Sequence, residues 1–242
     1  MLSSLVAAFV LASVHVFAGR LRQLNRLPRS RWLSMAGGVS VAYVFVHLLP
    51  ELARGQQVLD GSDWWLLSYL EHHVWLLALL GLATFYGVER LIKVHRRRLQ
   101  AEQEPHAGVF WLHIGAFAVY NGLVGYLLIH GENSSLTTLM LYCVAMTLHF
   151  LVNDFALQSD HKGLYRRRGR WLLAAMPLAG WTLGLASEVS ELAVSAVTAF
   201  VGGSIILNVL KEELPEERDS RFSAFLLGSV GYSVLLLSVQ GS

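Results

Sequence analysis

Two neighbouring apolar segments of the chain carry polar side chains of types that bind cations. The first contains Asn121, and the second contains His149, Asn153 and Asp154. On a helix, residues four apart share one face, so His149 and Asn153 are expected to point the same way. Imidazole nitrogens and amide or carboxylate oxygens are ligands of zinc and related divalent ions. The sequence therefore predicts a central metal site formed by Asn121, His149, Asn153 and Asp154.

The same four residues also have a structural interpretation. In it, His149 and Asn153 hydrogen-bond within a helix bundle, and Asp154 is solvated near the inner interface. Ionisable groups at membrane depth are costly, and they mark functional sites by default. The pattern leaves both interpretations open.

A second set of imidazoles and carboxylates lies near the ends of two other apolar segments. Converging groups of these types would collect cations in an outer vestibule. Taken singly, each residue also fits an ordinary position at a membrane interface. The set consists of His47, Glu51, His72 and His73.

Membrane-spanning helices must position these residues. The chain has 242 residues, of which 54% are hydrophobic and 15% are charged, and this composition is typical of membrane proteins. A helix needs about 20 mainly apolar residues to cross the hydrocarbon core, because backbone amides find no other partners in lipid. Eight segments qualify and predict an all-α polytopic membrane protein with a single transmembrane domain, 1–242: 2–18, 32–53, 65–91, 109–130, 136–158, 171–186, 192–210 and 222–239.

Basic residues mark one face of the membrane. Every Lys and Arg except Arg54 follows the first, third, fifth or seventh segment. Under the positive-inside rule these loops are cytoplasmic, so both chain ends are expected outside. Basic loops of this kind face anionic lipid head groups, and they do not indicate a nucleic-acid partner. We expect an integral, multi-pass protein of the cell membrane.

Enzyme motifs are absent from the sequence. No nucleotide-binding lysine follows a glycine loop, and neither G-x-S-x-G nor H-E-x-x-H occurs. The single cysteine, Cys143, lies in an apolar segment, so neither a disulfide nor a thiolate metal cluster is expected. The sequence predicts no enzyme and no resident cofactor.

The second and seventh segments share a pattern. Gly37-Gly38 is followed after ten residues by Leu49-Pro50-Glu51, and Gly202-Gly203 is followed after ten residues by Leu214-Pro215-Glu216. The two segments are expected to cross in opposite directions, so the pattern predicts an inverted repeat, which is common in secondary transporters. Glycine pairs that mark close helix packing, followed by ordinary helix ends, are the alternative explanation.

Several motifs together resemble the ZIP (ZRT/IRT-like) divalent metal transporters. They are His47-Leu-Leu-Pro-Glu51, the run Tyr-Asn-Gly-Leu-Val-Gly from Tyr120 to Gly125, Asn153-Asp154-Phe155-Ala156 and Glu213-Leu214-Pro215-Glu216. The resemblance implies a ZIP-like bundle in which helices one, four, five and six move against a scaffold of helices two, three, seven and eight that often dimerises. It also implies a mid-membrane metal site on helices four and five, where Asn121 and Asp154 match the family pattern.

The sequence departs from that pattern at several ligand positions. Tyr120 replaces the family histidine, and Val124 stands where helix four is expected to carry a carboxylate. The usual ligand positions of helix five are occupied by Met146, Thr147, Phe150 and Leu151. Several oxygen or nitrogen donors must replace the water shell of a divalent ion, so a two-metal site is not expected.

These observations lead to different functional hypotheses. The leading one is a ZIP-like secondary transporter that moves zinc or a related divalent ion by alternating access. The alternative is a degenerate ZIP-like membrane protein without transport, acting as a sensor, scaffold or partner subunit. A third hypothesis is a metal-dependent intramembrane hydrolase that uses His113, His149 and Asp154.

Overall fold

A computed structural model describes residues 1–21, 29–60, 73–98, 107–131, 135–213 and 221–240. These residues are almost entirely helical and contain no strand, which confirms the all-α prediction for this part of the chain. They form eight helices: α1 (Leu2–Leu21), α2 (29–60), α3 (His73–Arg98), α4 (Ala107–His130), α5 (Leu136–Leu164), α6 (Arg170–Ala186), α7 (Glu191–Asn208) and α8 (Phe222–Gln240). Each overlaps one predicted segment, and residues 65–72 of the third segment lie outside the described residues.

Five-residue π-helical turns occur at three places in the described chain. Val44–Leu48 joins the two parts of α2, Arg29–Tyr43 and Leu49–Asp60. Tyr165–Gly169 joins α5 to α6, and Val209–Glu213 extends α7. Such turns widen the helix locally and are frequent at functional sites. The turn in α2 carries His47.

Six of the helices are long and apolar enough to cross a membrane, over Ser34–Gln57, His73–His95, Ala107–His130, Leu136–His161, Glu191–Lys211 and Phe222–Val239. The apolar part of α1, Leu2–Ala18, is shorter, and α6 has 17 residues. The described chain therefore has the architecture of a multi-pass membrane protein.

Outward-facing apolar side chains fit this environment. On α8, Leu227 is 72% exposed and Leu237 is 58% exposed. An apolar surface of this kind is unusual on a soluble monomer, whereas lipid chains solvate it well. By contrast, α4 lies at the centre of the bundle, where Ile114, Tyr120 and Val124 are almost completely buried.

Contacts with α4 fix the directions of α5 and α6. The contacting pairs are Tyr142–Val124 and His161–His113 for α5, and Gly169–Ile114 and Gly184–His130 for α6. Residue numbers on α4 fall along α5 and rise along α6, so the chain reverses around the π turn between them. This reversal brings α6 alongside the polar residues of α4 and α5.

Pairs of glycines allow three helix pairs to approach closely. A Cβ atom added at any of these glycines would lie 1.7–2.3 Å from a backbone oxygen of the partner helix. Small residues at such crossings are the usual means of packing helices in membranes, because they bring the two backbones together. The pairs are Gly125 with Gly180 (α4–α6), Gly81 with Gly203 (α3–α7) and Gly38 with Gly228 (α2–α8).

The helices pack as two groups. In the first group, α6 packs against α4 and α1, and α1 packs against α5. In the second group, α2 packs against α8 and α7, and α7 packs against α3. The groups meet where α2 contacts α5 and where α4 contacts α3 and α7. The polar residues described below lie within the first group and at this boundary.

The α3–α7 crossing yields a test of the packing. We expect Gly203→Ala to lower the free energy of unfolding by about 1–3 kcal/mol, because the added methyl group collides with the backbone of Ala78. Thermal unfolding of the purified protein in detergent would measure this. The matched control is Gly115→Ala in α4, where no atom lies within 4 Å of an added Cβ. That variant should be as stable as the wild type or slightly more stable. Equal destabilisation by both substitutions would contradict the crossing.

Candidate functional site

A buried histidine of α1 links α4 to α5. The Nδ1 atom of His15 lies 2.9 and 3.0 Å from the two carboxylate oxygens of Asp154. Its Nε2 atom lies 3.0 Å from Nδ2 of Asn121. One tautomer satisfies both contacts: Nδ1–H donates to the carboxylate, and Nε2 accepts from the amide. We call His15, Asn121 and Asp154 the central cluster.

The central cluster is closed off from its surroundings. Asp154 has 0% exposure, Asn121 has 1% and His15 has 2%. A buried carboxylate is costly unless charged or hydrogen-bonding groups face it, so the imidazole is a necessary neighbour of Asp154. The Phe150 ring lies 4.9 Å from the imidazole, centre to centre, and Nδ2 of Asn121 lies 3.5 Å from the carbonyl oxygen of Leu173 in α6. All four helices of the first group therefore contribute to this region.

The donor atoms of the central cluster suit one divalent cation. They are an imidazole nitrogen, a carboxylate and a side-chain amide, which are all ligand types of zinc and related ions. In the part of the chain that the structure describes, no group of three His, Cys, Asp or Glu residues is arranged to hold a metal ion. A site here would thus take two ligands of those types and complete its shell with an amide, a backbone carbonyl or water.

The sequence-predicted central residues form two pairs. Asn121 and Asp154 are brought together through His15, as described above. Nδ2 of Asn153 donates to Nε2 of His149 at 2.9 Å, and both side chains are buried. Oδ1 of Asn153 is buried without a hydrogen-bond partner among the described residues. An amide oxygen in that state is available to a ligand or a water.

The outer residues are brought together in part. Nε2 of His47 lies 3.6 Å from a carboxylate oxygen of Glu51, one helical turn later in α2. Both side chains line a cavity of about 20 Å³ between the two helix groups, which is room for about one water. His73 is buried at the first residue of α3, and His72 lies outside the described residues.

A second polar cluster occupies the other half of the bundle. Nε2 of His113 lies 3.0 Å from a carboxylate oxygen of Glu89, and Nδ1 lies 2.8 Å from Nε2 of His161. The ammonium group of Lys211 forms an ion pair with the other oxygen of Glu89. We call Glu89, His113, His161 and Lys211 the inner cluster. Both ring nitrogens of His113 are engaged within it, so these contacts do not join His113 to Asp154 as the hydrolase hypothesis requires.

Sequence reasoning did not single out His15, Glu89, His161 or Lys211. His15 and Glu89 each lie inside an apolar segment, and an ionisable residue in such a place is itself a signal. His15 stands alone in its segment, so no spacing rule connects it with Asp154. The structure supplies that connection by packing α1 against α5.

Comparison with known proteins gives no family assignment: no protein-family model matches the chain, and the search of curated proteins gives no match either.

Proposed function

We propose that this protein is a ZIP-like secondary transporter that carries a divalent metal ion, zinc or a related ion, by alternating access. The observation that carries the proposal is the central cluster, where His15 and Asp154 meet beside Asn121. Imidazole and carboxylate groups held together without exposure to solvent are expensive to maintain, and within membrane helices they mark substrate or ion pathways.

Packing of the two short helices supports eight membrane crossings. Near one end of α1, the Trp181 indole of α6 donates to Oγ of Ser4 at 3.2 Å. Near the other end, His15 bonds to α5. Both α1 and α6 thus lie alongside the longer helices through most of their length. Eight crossings place the basic loops on one face, the cytoplasmic face under the positive-inside rule, and both chain ends on the other.

Two glycines at equivalent positions support the inverted repeat. Gly38 of α2 and Gly203 of α7 each end a glycine pair, and each lies against a backbone oxygen of another helix, in α8 and α3 respectively. The helices α2 and α7 run in opposite directions, since Leu48 lies near Gly202 while Gly55 lies near Ser195. The α2–α8 and α7–α3 pairs would then be two copies of one unit. The repeat's Leu214, Pro215 and Glu216 lie outside the described residues.

The route that we propose runs along the boundary between the helix groups. His47 and Glu51 receive the ion at the outer cavity, and His15, Asn121 and Asp154 bind it after the first group shifts against the second. His149 and the unpartnered amide oxygen of Asn153 supply further donors beside Asp154. Movement of one repeat unit or helix group about a fixed site is the usual basis of alternating access.

Reconstitution tests the proposal. Purified protein in vesicles that contain a metal-sensitive dye should take up at least one of Zn²⁺, Mn²⁺, Co²⁺ and Fe²⁺ faster than protein-free vesicles do. Asn121→Ala should lower that rate at least tenfold, because it removes an amide donor of the central cluster. The control is His130→Gln, since His130 hydrogen-bonds only to a backbone carbonyl in the contact described above. No uptake of any divalent ion above protein-free vesicles would reject transport.

The second candidate is a degenerate ZIP-like protein that does not transport. It is favoured by the large apolar or aromatic side chains at positions where the resemblance predicts ligands: Tyr120, Met146 and Phe150 are all almost completely buried. This candidate predicts that purified protein retains no metal and that Asn121→Ala changes neither metal content nor uptake. Metal bound in a 1:1 ratio at the central cluster would exclude it.

A further inference from the structure

We propose that the inner cluster is a proton-binding relay, in which Glu89, His113 and His161 pass one proton between them and thereby couple proton movement to the transport cycle. The proton site stands on the geometry described below, and its coupling to ion transport rests on the proposed function. The central cluster takes no part in the relay.

The hydrogen bonds of the inner cluster form a continuous chain. Lys211 pairs with one oxygen of Glu89, the other oxygen accepts from Nε2 of His113, and Nδ1 of His113 lies 2.8 Å from Nε2 of His161. Both imidazoles are buried, with 1% and 3% exposure. A chain in which each imidazole uses both faces of its ring can pass a proton without moving a heavy atom far.

The transfer conserves the proton at each atom. A proton arrives at Nδ1 of His161, and the proton on Nε2 of His161 moves to Nδ1 of His113. The proton on Nε2 of His113 then moves to the carboxylate of Glu89. Both imidazoles end neutral in the opposite tautomer, Glu89 ends as the neutral acid, and Lys211 loses its anionic partner.

The other charged groups near α4 have different partners. From α1, His15 bonds to Asp154 of α5 and Asn121. From α6, the Arg170 guanidinium lies 4.9 Å from the centre of the Trp171 ring. The groups that face His113 directly are Glu89 of α3 and His161 of α5, with Lys211 of α7 reaching it through Glu89.

The relay crosses the boundary between the two helix groups. His113 and His161 belong to the first group, while Glu89 and Lys211 belong to the second. Neutralising Glu89 removes its charge from both the Lys211 ion pair and the His113 hydrogen bond. Proton binding should therefore loosen the two groups at this end, which is the step that alternating access requires.

Spin-label distances measured without metal test the proton site. The labels replace Val94 of α3 and Arg167 beside α5, which are exposed residues of the two groups, in a Cys143→Ala background that removes the only native cysteine. We expect the wild-type distance to change between about pH 5 and pH 8, the range in which histidines titrate. His113→Gln should abolish the change, because glutamine keeps both hydrogen bonds but carries no proton.

Two further variants guard against loss of folding. His161→Gln leaves the Glu89–Lys211 ion pair intact and should also abolish the response. The control, His130→Gln at the opposite end of α4, should retain it. A distance independent of pH in the wild type, or a pH response that survives in His113→Gln, would overturn the proton site.

Vesicles containing a pH-sensitive dye test the coupling. Metal uptake by the wild type should be accompanied by proton movement, and His113→Gln should reduce that proton movement at least tenfold relative to metal uptake. Metal uptake without proton movement in the wild type would overturn the coupling. If no divalent ion is taken up but the spin-label response appears and is lost in His113→Gln, then the proton site stands and the transport proposal fails.

Discussion

Asp154→Asn is expected to lower the affinity for a divalent ion by at least about 100-fold. Residues that only orient a metal ligand already contribute 10–100-fold to metal affinity, and Asp154 is proposed to be a ligand itself. Asparagine has nearly the shape of aspartate and can still accept from Nδ1 of His15, so the fold should persist. Equilibrium dialysis of the purified protein against Zn²⁺ would measure the affinity.

The matched control for that substitution is Asp160→Asn. Asp160 lies six residues later on α5 and is partly exposed, so the same chemical change should leave zinc affinity within about threefold of the wild type. Equal losses of affinity in Asp154→Asn and Asp160→Asn would indicate a general effect of charge, and the central site would have to be abandoned.

His15→Leu is expected to lower the free energy of unfolding by about 3–5 kcal/mol. Leucine fills a similar volume but leaves the Asp154 carboxylate buried and without its imidazole partner, and an uncompensated buried charge has a cost of this size. For a chain of this length, such a loss corresponds to a fall in melting temperature of roughly 10 °C. Thermal unfolding in detergent at neutral pH would show it.

A double substitution identifies the cause of that loss. Adding Asp154→Asn to His15→Leu removes the orphaned charge, so the double variant should regain most of the lost stability. His130→Leu, which removes one bond to a backbone carbonyl, should cost only about 1 kcal/mol. If the two central substitutions simply add, their side chains are not coupled and the pairing of His15 with Asp154 is wrong.

Much of the helical architecture could be predicted from the sequence, because long apolar blocks and helix length in lipid leave few alternatives. The predicted segment 109–130 lies within α4, which begins at Ala107 and ends at His130. The segment 136–158 falls short of α5 by six residues, since the polar end of a helix carries no apolar signal. The turn Tyr165–Gly169 was equally invisible, because its basic residues resemble an ordinary loop.

The candidate site could be predicted only in part, since spacing rules act within one helix. The i, i+4 rule led to the pairing of His149 with Asn153, and these residues are hydrogen-bonded. The same rule cannot connect His15 with Asp154, which lie 139 residues apart and meet only through packing of α1 against α5. Glu89 and His113 were missed as a pair for the same reason.

The most direct test is the zinc content and coordination of the purified protein, measured by elemental analysis and X-ray absorption after equilibration with Zn²⁺. The wild type should bind one zinc per chain, with nitrogen and oxygen ligands at about 2.0–2.2 Å that include an imidazole. A variant with both His15→Gln and Asp154→Asn should fold but lose that zinc. Retention of the same zinc signal by this double variant, or no bound zinc in the wild type, would contradict a central metal site.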